Sequence, residues 1–291
     1  MPEPTFIGIG PQKAGTTWLD AVLRRHGDIC LPPDRKEVFF FDKYYNRGRE
    51  WYESLFTGCD NCNAIGEITP TYFAKPHVMQ RIAEDYPDIQ LIIILRHPVD
   101  RLISHYGMFV ENGSQAQDVM QGVEMHEALY RNSNYLAYLP ELFKFFDRSQ
   151  VHIMIYEELF ADDQARRQHL YALGRFLDVD PDNLANCDVA DKIRETRGPP
   201  KSRWLYMTAS RLRKWLMRHD MERVIDFAKR LGLRREHLLQ ARSGARHKTV
   251  SARERDMLEK KLEPDIQLVE RYLGRSIPVW EARGDANTNS Q

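Results

Sequence analysis

The segment at residues 6–19, FIGIGPQKAGTTWL, constrains this chain more than any other because it joins a short apolar run, a turn between glycines and a helix start. The apolar run predicts a buried strand, and residues 17–25 predict a short helix that packs on a sheet. Such a turn points backbone N–H groups and the positive end of a helix at one place. The segment therefore predicts an anion site at the end of a strand.

The glycine spacing of this turn is that of a nucleotide-phosphate loop, G-x-x-x-x-G-K-[ST], but its lysine is displaced. Gly10 and Gly15 keep the spacing, the next two positions are Thr16 and Thr17, and the lysine is Lys13, inside the loop. This arrangement suits a terminal anionic group that needs donors and one cation but no metal bridging two phosphates. By itself, the segment also fits an ATP or GTP enzyme with a degenerate lysine position.

The balance of charge excludes a global electrostatic attraction to nucleic acid or to an anionic membrane. The 291 residues include 42 Lys and Arg and 42 Asp and Glu, so any anion site must be local. Length and composition predict one soluble globular domain over residues 1–291. The chain starts without a signal-peptide pattern, and its longest apolar run, residues 91–95, is too short to span a bilayer. These features predict a cytoplasmic protein without a transmembrane segment.

Four cysteines are too few for a disulfide scaffold, and a cytosolic setting would keep them reduced. They are Cys30, Cys59, Cys62 and Cys187. Cys59 and Cys62 have the spacing of half a zinc site or of a redox pair, but neither a second such pair nor paired histidines accompany them. We therefore expect free thiols in a loop and no bound metal.

Continuous apolar runs at residues 64–68, 90–95 and 151–156 predict strands of a central sheet. Helical patterns separate and follow them, at residues 44–56, 77–86, 98–111, 118–131, 135–146, 163–177 and 251–273. Strands separated by helical crossovers predict an α/β, P-loop-like three-layer fold with a central, mostly parallel sheet flanked by helices. In such sheets ligands bind beyond the carboxyl ends of the strands.

Residues 192–242 differ from the rest of the chain because they are strongly basic and helical in pattern. They predict a helical, basic elaboration of the C-terminal part, either a pair of helices packed on the domain by their aromatic face or a lid over the acceptor site. A basic amphipathic surface also leaves peripheral membrane contact open. The polar residues 281–291 predict a disordered tail.

The strand at residues 90–95 is followed by Arg96, where a nucleoside triphosphatase usually carries an aspartate that helps to hold magnesium. A cation there repels a metal and attracts a phosphate, and Ser104, two helical turns further on, adds a hydroxyl. With the loop at residues 10–17, this element predicts two anion sites, one for each end of a nucleotide.

Several further motifs follow one another in an order that resembles one enzyme family. They are KEVFFFD at residues 36–42, Trp51-Tyr52, GEITPTYF at residues 66–73, the Arg96 element, YEEL at residues 156–159, SGARH at residues 243–247, and Trp280. With the phosphate loop, this set is similar to the sulfotransferases that use 3′-phosphoadenosine 5′-phosphosulfate (PAPS). It resembles in particular the heparan sulfate N- and 3-O-sulfotransferase branch, over most of the chain, and indicates a soluble, bacterial-type member.

The resemblance implies transfer of a sulfuryl group from PAPS to a hydroxyl or amine by in-line displacement, with adenosine 3′,5′-bisphosphate as product and no metal. Glu37 matches the family's general base, and Lys13 would neutralise charge on the leaving group. Asp42 and Glu67 match positions on the acceptor side. The implied cofactor-binding residues are Lys13, Ala14, Gly15, Thr16, Thr17, Trp18, Arg96, Ser104, Gly244 and Arg246.

The resemblance defines the acceptor half of the site less well than the cofactor half. Ile68 stands where the heparan enzymes carry a lysine near the acceptor, and the cysteine pair before their C-terminal loop has no equivalent. A saccharide, a lipid headgroup or a small metabolite fits, and the sequence predicts neither the attacking atom nor an oligomeric state. Two other classes stay open: a P-loop-like nucleotide phosphotransferase that uses magnesium-ATP, and a non-catalytic nucleotide-binding protein.

Overall fold

The computed structural model describes residues 1–187 and 250–280. Its sheet has five strands: β1 (Phe6–Gly10), β2 (Ile29–Cys30), β3 (Ala64–Ile68), β4 (Gln90–Leu95) and β5 (Val151–Ile155). They lie in the order β2-β3-β1-β4-β5, and every neighbouring pair is parallel. The predicted parallel sheet is therefore confirmed. The sequence pattern missed β2 because a two-residue edge strand is too short to show periodicity.

Helices connect these strands and cover the sheet. In chain order they are α1 (Thr16–Leu23), α2 (Arg49–Glu53), α3 (Pro76–Asp85), α4 (Pro98–Glu111), α5 (Val119–Met125), α6 (Ala128–Arg131), α7 (Tyr135–Leu142), α8 (Tyr156–Leu159), α9 (Asp163–Phe176), α10 (Pro181–Ala185) and α11 (Ala252–Leu273). Most predicted helices are confirmed with their ends shifted by a few residues. The short helices α8 and α10 were not predicted.

Two predicted helices differ from the structure. Residues 44–56, predicted as one helix, form 3₁₀ turns at either end of the short α2, preceded by a π-helical turn at Phe40–Tyr44. Gly48 interrupts this region because its φ of 79° and ψ of 161° lie outside the helical range. Residues 118–131 are divided into α5 and α6 because His126, at φ −135°, also leaves that range.

The strands bury both of their faces, which gives three layers. Ile7, Ile65 and Ile93 belong to the core that includes α3, α7 and the C-terminal part of α11. Phe6 and Ile92 belong to the opposite core, which includes α1 and α9. Because successive residues of a strand point to opposite faces, one continuous apolar run supplies both cores. The predicted three-layer architecture is confirmed.

The last described helix, α11, packs on α4 and α7. Its Leu258 and Leu262 share an apolar cluster with residues of α4, and Asp265 Oδ1 accepts the Leu136 N–H of α7 at 2.8 Å. Within the described part of the chain, no helix is long and apolar enough to cross a bilayer. Outside that part lie the predicted basic elaboration, the C-terminal loop and the tail, at residues 192–242, 243–247 and 281–291.

The cysteines correct one prediction. Cys30, at the end of β2, forms a disulfide with Cys59, and their Cα atoms are 5.7 Å apart. The expectation that all four cysteines are reduced is therefore wrong, although Cys62 and Cys187 are free. The sequence spacing drew attention to the neighbours Cys59 and Cys62, whereas the actual partner comes from an edge strand 29 positions earlier.

Candidate active site

A cavity of about 200 Å³ lies at the carboxyl ends of the central strands, where the sheet topology predicts a ligand site. The residues that line it are Gln12, Lys13, Gly15, Thr16, Thr17, Trp18, Lys36, Glu37, Pro70, Arg96, Ser104, Met108, Tyr156 and Phe160. From the predicted site residues, the structure thus brings together Lys13, Gly15, Thr16, Thr17, Trp18, Glu37, Arg96 and Ser104.

Two glycines shape the phosphate loop. Gly10 has φ +110°, and a Cβ at this position would lie 2.4 Å from the carbonyl oxygen of Pro70, so no side chain fits. Gly15, at φ +92°, directly precedes α1. The helix therefore begins at the cavity wall, where Thr16 and Thr17 line the cavity. The positive end of α1 lies at the place that the sequence predicted for an anion.

Arg96 connects the second predicted anion element to this loop. Its Nη1 donates to the carbonyl oxygen of Lys13 at 3.2 Å, and its guanidinium lies 4.7 Å from the ring centre of Tyr156. Its Nε is 4.0 Å from Glu157 Oε1 and is buried without a hydrogen-bond partner among the described residues. Ser104 lines the same cavity, so the two anion elements form one site.

Glu157 holds the backbone next to Arg96, a role that the sequence motifs did not reveal. The buried Glu157 carboxylate accepts the backbone N–H of His97 at 3.2 and 3.3 Å and the Trp280 Nε1–H at 2.7 Å. It therefore ties the residue after Arg96 to α8, which directly follows β5, and to the C-terminal segment. The motifs at residues 156–159 and at Trp280 were recognised in the sequence, but their mutual contact joins positions 123 residues apart.

Arg101 holds the phosphate loop against α4. Its side chain is fully buried, its Nε donates to Ser133 Oγ at 2.6 Å, and its Nη1 donates to the carbonyl oxygen of Gln12 at 3.4 Å. It also donates to the carbonyl oxygen of Leu129. Burial lowers the pKa of Arg101 to about 10. Burial, followed by the positive charge of Arg101, lowers the pKa of the neighbouring His105 to about 2, so that this imidazole is neutral.

Lys36 is a cavity residue that the sequence interpretation missed. Its Nζ donates to Thr16 Oγ1 at 3.3 Å and to Thr17 Oγ1 at 3.1 Å. The loop threonines and Lys36 are 19 and 20 residues apart in the chain, and no local pattern relates them. The one signal in the sequence that places Lys36 near the site is that it directly precedes Glu37.

Glu37 lines the cavity on a segment without regular secondary structure. Arg24, at the end of α1, fixes the residues just before Glu37. It donates to the carbonyl oxygens of Pro32 and Arg35 at 3.0 and 3.1 Å. On the other side, the Val38 N–H donates to Thr69 Oγ1 at 3.0 Å. Backbone contacts on both sides therefore position the predicted base.

Glu67 does not line the cavity. It is fully buried and accepts hydrogen bonds from Tyr72 OH at 3.0 Å, from Val38 N at 3.3 Å and from Thr69 Oγ1. Burial raises its pKa to about 7, and the hydrogen bonds from Thr69, Tyr72 and Val38 oppose that rise. Through Val38, Glu67 supports the backbone next to Glu37.

Asp42 likewise lies outside the cavity wall. Its side chain is 1% exposed, and its Oδ2 accepts from Lys75 Nζ at 2.5 Å and from Thr71 Oγ1 at 2.8 Å. Of the three carboxylates that the sequence predicted near the acceptor, Glu37 lines the cavity and Asp42 and Glu67 do not.

The remaining predicted residues divide into three cases. Ala14, within the loop, is fully buried and belongs to the core that includes α1. Trp18 lines the cavity, packs edge-on against Phe160 with ring centres 5.1 Å apart, and has a buried Nε1 without a hydrogen-bond partner in the described part of the chain. Gly244 and Arg246 lie outside the described residues.

The fold and the cavity define a class: a parallel α/β protein with a displaced-lysine phosphate loop, a second cationic element after β4 and a carboxylate on the same cavity wall. The family follows from comparison with known proteins. The sequence model of the sulfotransferase domain matches residues 3–231. The chain therefore belongs to the sulfotransferase domain family, as the ordered motifs predicted.

The curated relatives are similar over part of their length. The membrane-associated sulfotransferase kil1 of Dictyostelium discoideum is 39% identical over 111 residues, which cover 37% of this chain and 23% of the relative. Human heparan sulfate glucosamine 3-O-sulfotransferase 6 is 38% identical over 103 residues, which cover 35% of this chain and 30% of the relative. The matched stretch thus spans less than a third of either relative.

A solved structure agrees with the fold over nearly the whole chain. The sulfotransferase from Alicyclobacillus acidocaldarius superposes with a TM-score of 0.66 at 22% identity, covering 97% of this chain and all of the other. At this identity the likeness establishes the shared fold, and the chemistry has to be argued from the residues of the cavity.

Proposed function

We propose that this protein transfers the sulfuryl group of PAPS to a hydroxyl or amine of an acceptor. The observation that carries this proposal is that one cavity is lined by both predicted anion elements and by a carboxylate. Lys13, Thr16 and Thr17 of the loop, Arg96 and Ser104 from the element after β4, and Glu37 all line it. Membership of the sulfotransferase domain family supports the same reaction.

The donor set fits the chemistry of PAPS, which is anionic at both ends. Thr16, Thr17 and the loop amides would hold the 5′-phosphosulfate end at the positive end of α1. Arg96 and Ser104 would hold the 3′-phosphate. The buried Nε1 of the cavity residue Trp18, which has no hydrogen-bond partner among the described residues, is a donor that a polar ligand would satisfy.

The reaction is an in-line displacement at sulfur. The acceptor oxygen or nitrogen forms a bond to sulfur while the bond from sulfur to the 5′-phosphate oxygen breaks, and adenosine 3′,5′-bisphosphate leaves. Glu37 takes the proton of the acceptor. Lys13 neutralises the negative charge that grows on the leaving oxygen. Positioning and charge stabilisation, rather than covalent catalysis, are what these residues supply, as in phosphoryl transfer.

We propose a saccharide acceptor, and one relative supports this choice because its name specifies heparan sulfate glucosamine. A lipid headgroup or another small metabolite is the alternative acceptor. The name of the relative from Dictyostelium discoideum places it at a membrane, which agrees with the proposed peripheral contact of residues 192–242. The cytoplasmic location stays a prediction, and the disulfide between Cys30 and Cys59 does not favour it.

Calorimetry of nucleotide binding tests the proposal. Adenosine 3′,5′-bisphosphate should bind without a metal and more tightly than ATP with magnesium. Arg96→Ala should weaken the bisphosphate about 10- to 100-fold, because a hydrogen bond to a charged group contributes about 1.5–3 kcal/mol. The exposed Arg175→Ala is the matched control and should bind like wild type. A preference of the wild type for magnesium-ATP would instead assign the chain to the nucleotide phosphotransferases.

A further inference from the structure

The cavity carries more positive charge than the phosphate loop alone would supply. Among the described side chains that line it, Lys13, Lys36 and Arg96 are cationic and Glu37 is anionic. The positive end of α1 adds to the positive side of this balance. Several positive charges around one partly enclosed space favour the entry of an anion. Lys36 is the cation that the phosphate-loop pattern does not explain.

The place of Lys36 explains its presence. In a standard nucleotide-phosphate loop, the residue after the second glycine is a lysine that reaches the terminal phosphates. Here that residue is Thr16, and the ammonium of Lys36 lies 3.3 Å from its hydroxyl oxygen and 3.1 Å from that of Thr17. A lysine from the segment after β2 therefore occupies the place at the start of α1 from which the missing loop lysine would act.

We propose that Lys36 binds the 5′-phosphosulfate end of the donor directly, as a second cation beside Lys13. This inference rests on the proposed function. The hydroxyl groups of Thr16 and Thr17, which now accept hydrogen bonds from Lys36, hold the ammonium at the position where the anion docks. A hydroxyl accepts and donates at once, so both threonines keep a donor for the anion while they orient the lysine.

The proposal also assigns a function to the adjacency of Lys36 and Glu37. The two residues share one segment, which Arg24 and Thr69 hold at either end. A donor molecule that engages Lys36 therefore contacts the same held segment that carries Glu37. Lys36 would in this way bring the reacting sulfur next to the base.

Two nucleotides that differ by one phosphate test this role. Adenosine 3′,5′-bisphosphate carries a 5′-phosphate, and adenosine 3′-monophosphate lacks it. Lys36→Met should weaken the bisphosphate about 10- to 100-fold and leave the affinity for the 3′-monophosphate within about twofold of wild type. Lys36→Arg should restore part of the loss because it keeps the charge. Arg96→Ala should instead weaken both nucleotides to a similar extent, because both bear the 3′-phosphate that Arg96 is proposed to hold.

Lys144→Met is the matched control, since this exposed lysine pairs with Glu141 on the surface of α7. It should bind both nucleotides like wild type. An equal loss for both nucleotides in Lys36→Met would show that Lys36 only supports the loop, and no loss would show that it does not touch the ligand; either result overturns the inference. If Lys36→Met does not fold, the same ratio measured on Lys36→Gln decides. Failure of the wild type to bind the bisphosphate would instead refute the proposed function itself.

Discussion

The proposed phosphate-binding side of the cavity and its carboxylate side are held in place by different means. The phosphate loop and Arg96 directly follow β1 and β4, two adjacent central strands of the sheet. The carboxylate segment lies between the edge strand β2 and β3 and contains no strand of its own. Side chains and one covalent bond hold that segment instead: the disulfide from Cys30 to Cys59 closes it, and Arg24 and Thr69 hold its backbone.

This difference teaches which parts of a site can be located by spacing in the sequence. Residues that follow parallel strands meet at one edge of the sheet whatever their sequence separation. Lys13 and Arg96 accordingly line one cavity. The carboxylates depend on contacts between distant side chains. Of the three predicted carboxylates Glu37, Asp42 and Glu67, only Glu37 lines the cavity, while the other two support the surrounding structure.

The largest expected effect belongs to Glu37, and it tests whether the carboxylate side performs chemistry. Glu37→Gln should lower turnover about 10²- to 10⁴-fold, because the acceptor's proton loses its base, while the affinity for adenosine 3′,5′-bisphosphate stays within about twofold. Transfer of ³⁵S from labelled PAPS to glucosamine-containing oligosaccharides measures turnover, and calorimetry measures affinity. The exposed Glu124→Gln should leave both unchanged. Undiminished turnover in Glu37→Gln would remove Glu37 from the mechanism.

The next effect tests how firmly the phosphate-binding side is held. Arg101→Met should lower the free energy of unfolding by about 2–5 kcal/mol, because the carbonyl groups of Gln12 and Leu129 and the Ser133 hydroxyl lose their donor. Denaturant unfolding measures this change. Arg175→Met, at an exposed position on α9, should change stability by less than about 0.5 kcal/mol. Equal stability of Arg101→Met and wild type would mean that these contacts do not hold the loop.

The smallest expected effect is on the free energy of unfolding and depends on pH. It concerns Glu67, the buried residue that supports the carboxylate side. Burial raises the pKa of Glu67 to about 7 in the folded protein, above its ordinary value of 4.5. The folded state therefore binds more protons than the unfolded state between these values, and the stability that Glu67 contributes is lost as the pH rises from 4.5 through 7. At about 1.4 kcal/mol per pKa unit, the loss is at most about 3.5 kcal/mol.

Unfolding of wild type and Glu67→Gln at pH 5, 6, 7 and 8 checks this prediction. As the pH rises, the free energy of unfolding of Glu67→Gln should increase relative to that of wild type. Other buried acids, such as Asp265, titrate in both proteins and cancel in the difference. A difference that is constant over this range would show that Glu67 is ionised throughout and that the hydrogen bonds it accepts outweigh its burial.

Much of the fold was predictable because strong local patterns produced it. The continuous apolar runs of β3, β4 and β5 predicted a parallel sheet with helices on both faces, and the structure confirms it. The failures have local causes as well. β2 is too short to show a period, and Gly48 breaks a region whose composition suits a helix. The predicted single domain, including residues 192–242, stays a prediction.

By itself, the sequence determined the family and the parallel sheet and predicted the anion-binding residues, because strand periodicity and turn spacing act over a dozen residues or fewer. Only the tertiary structure decided which side chains complete the site. It places Lys36 on the hydroxyls of Thr16 and Thr17, joins Cys30 to Cys59, and separates Glu67 from the cavity. These contacts link residues whose distance along the chain carries no information about their distance in space, so packing had to bring them together.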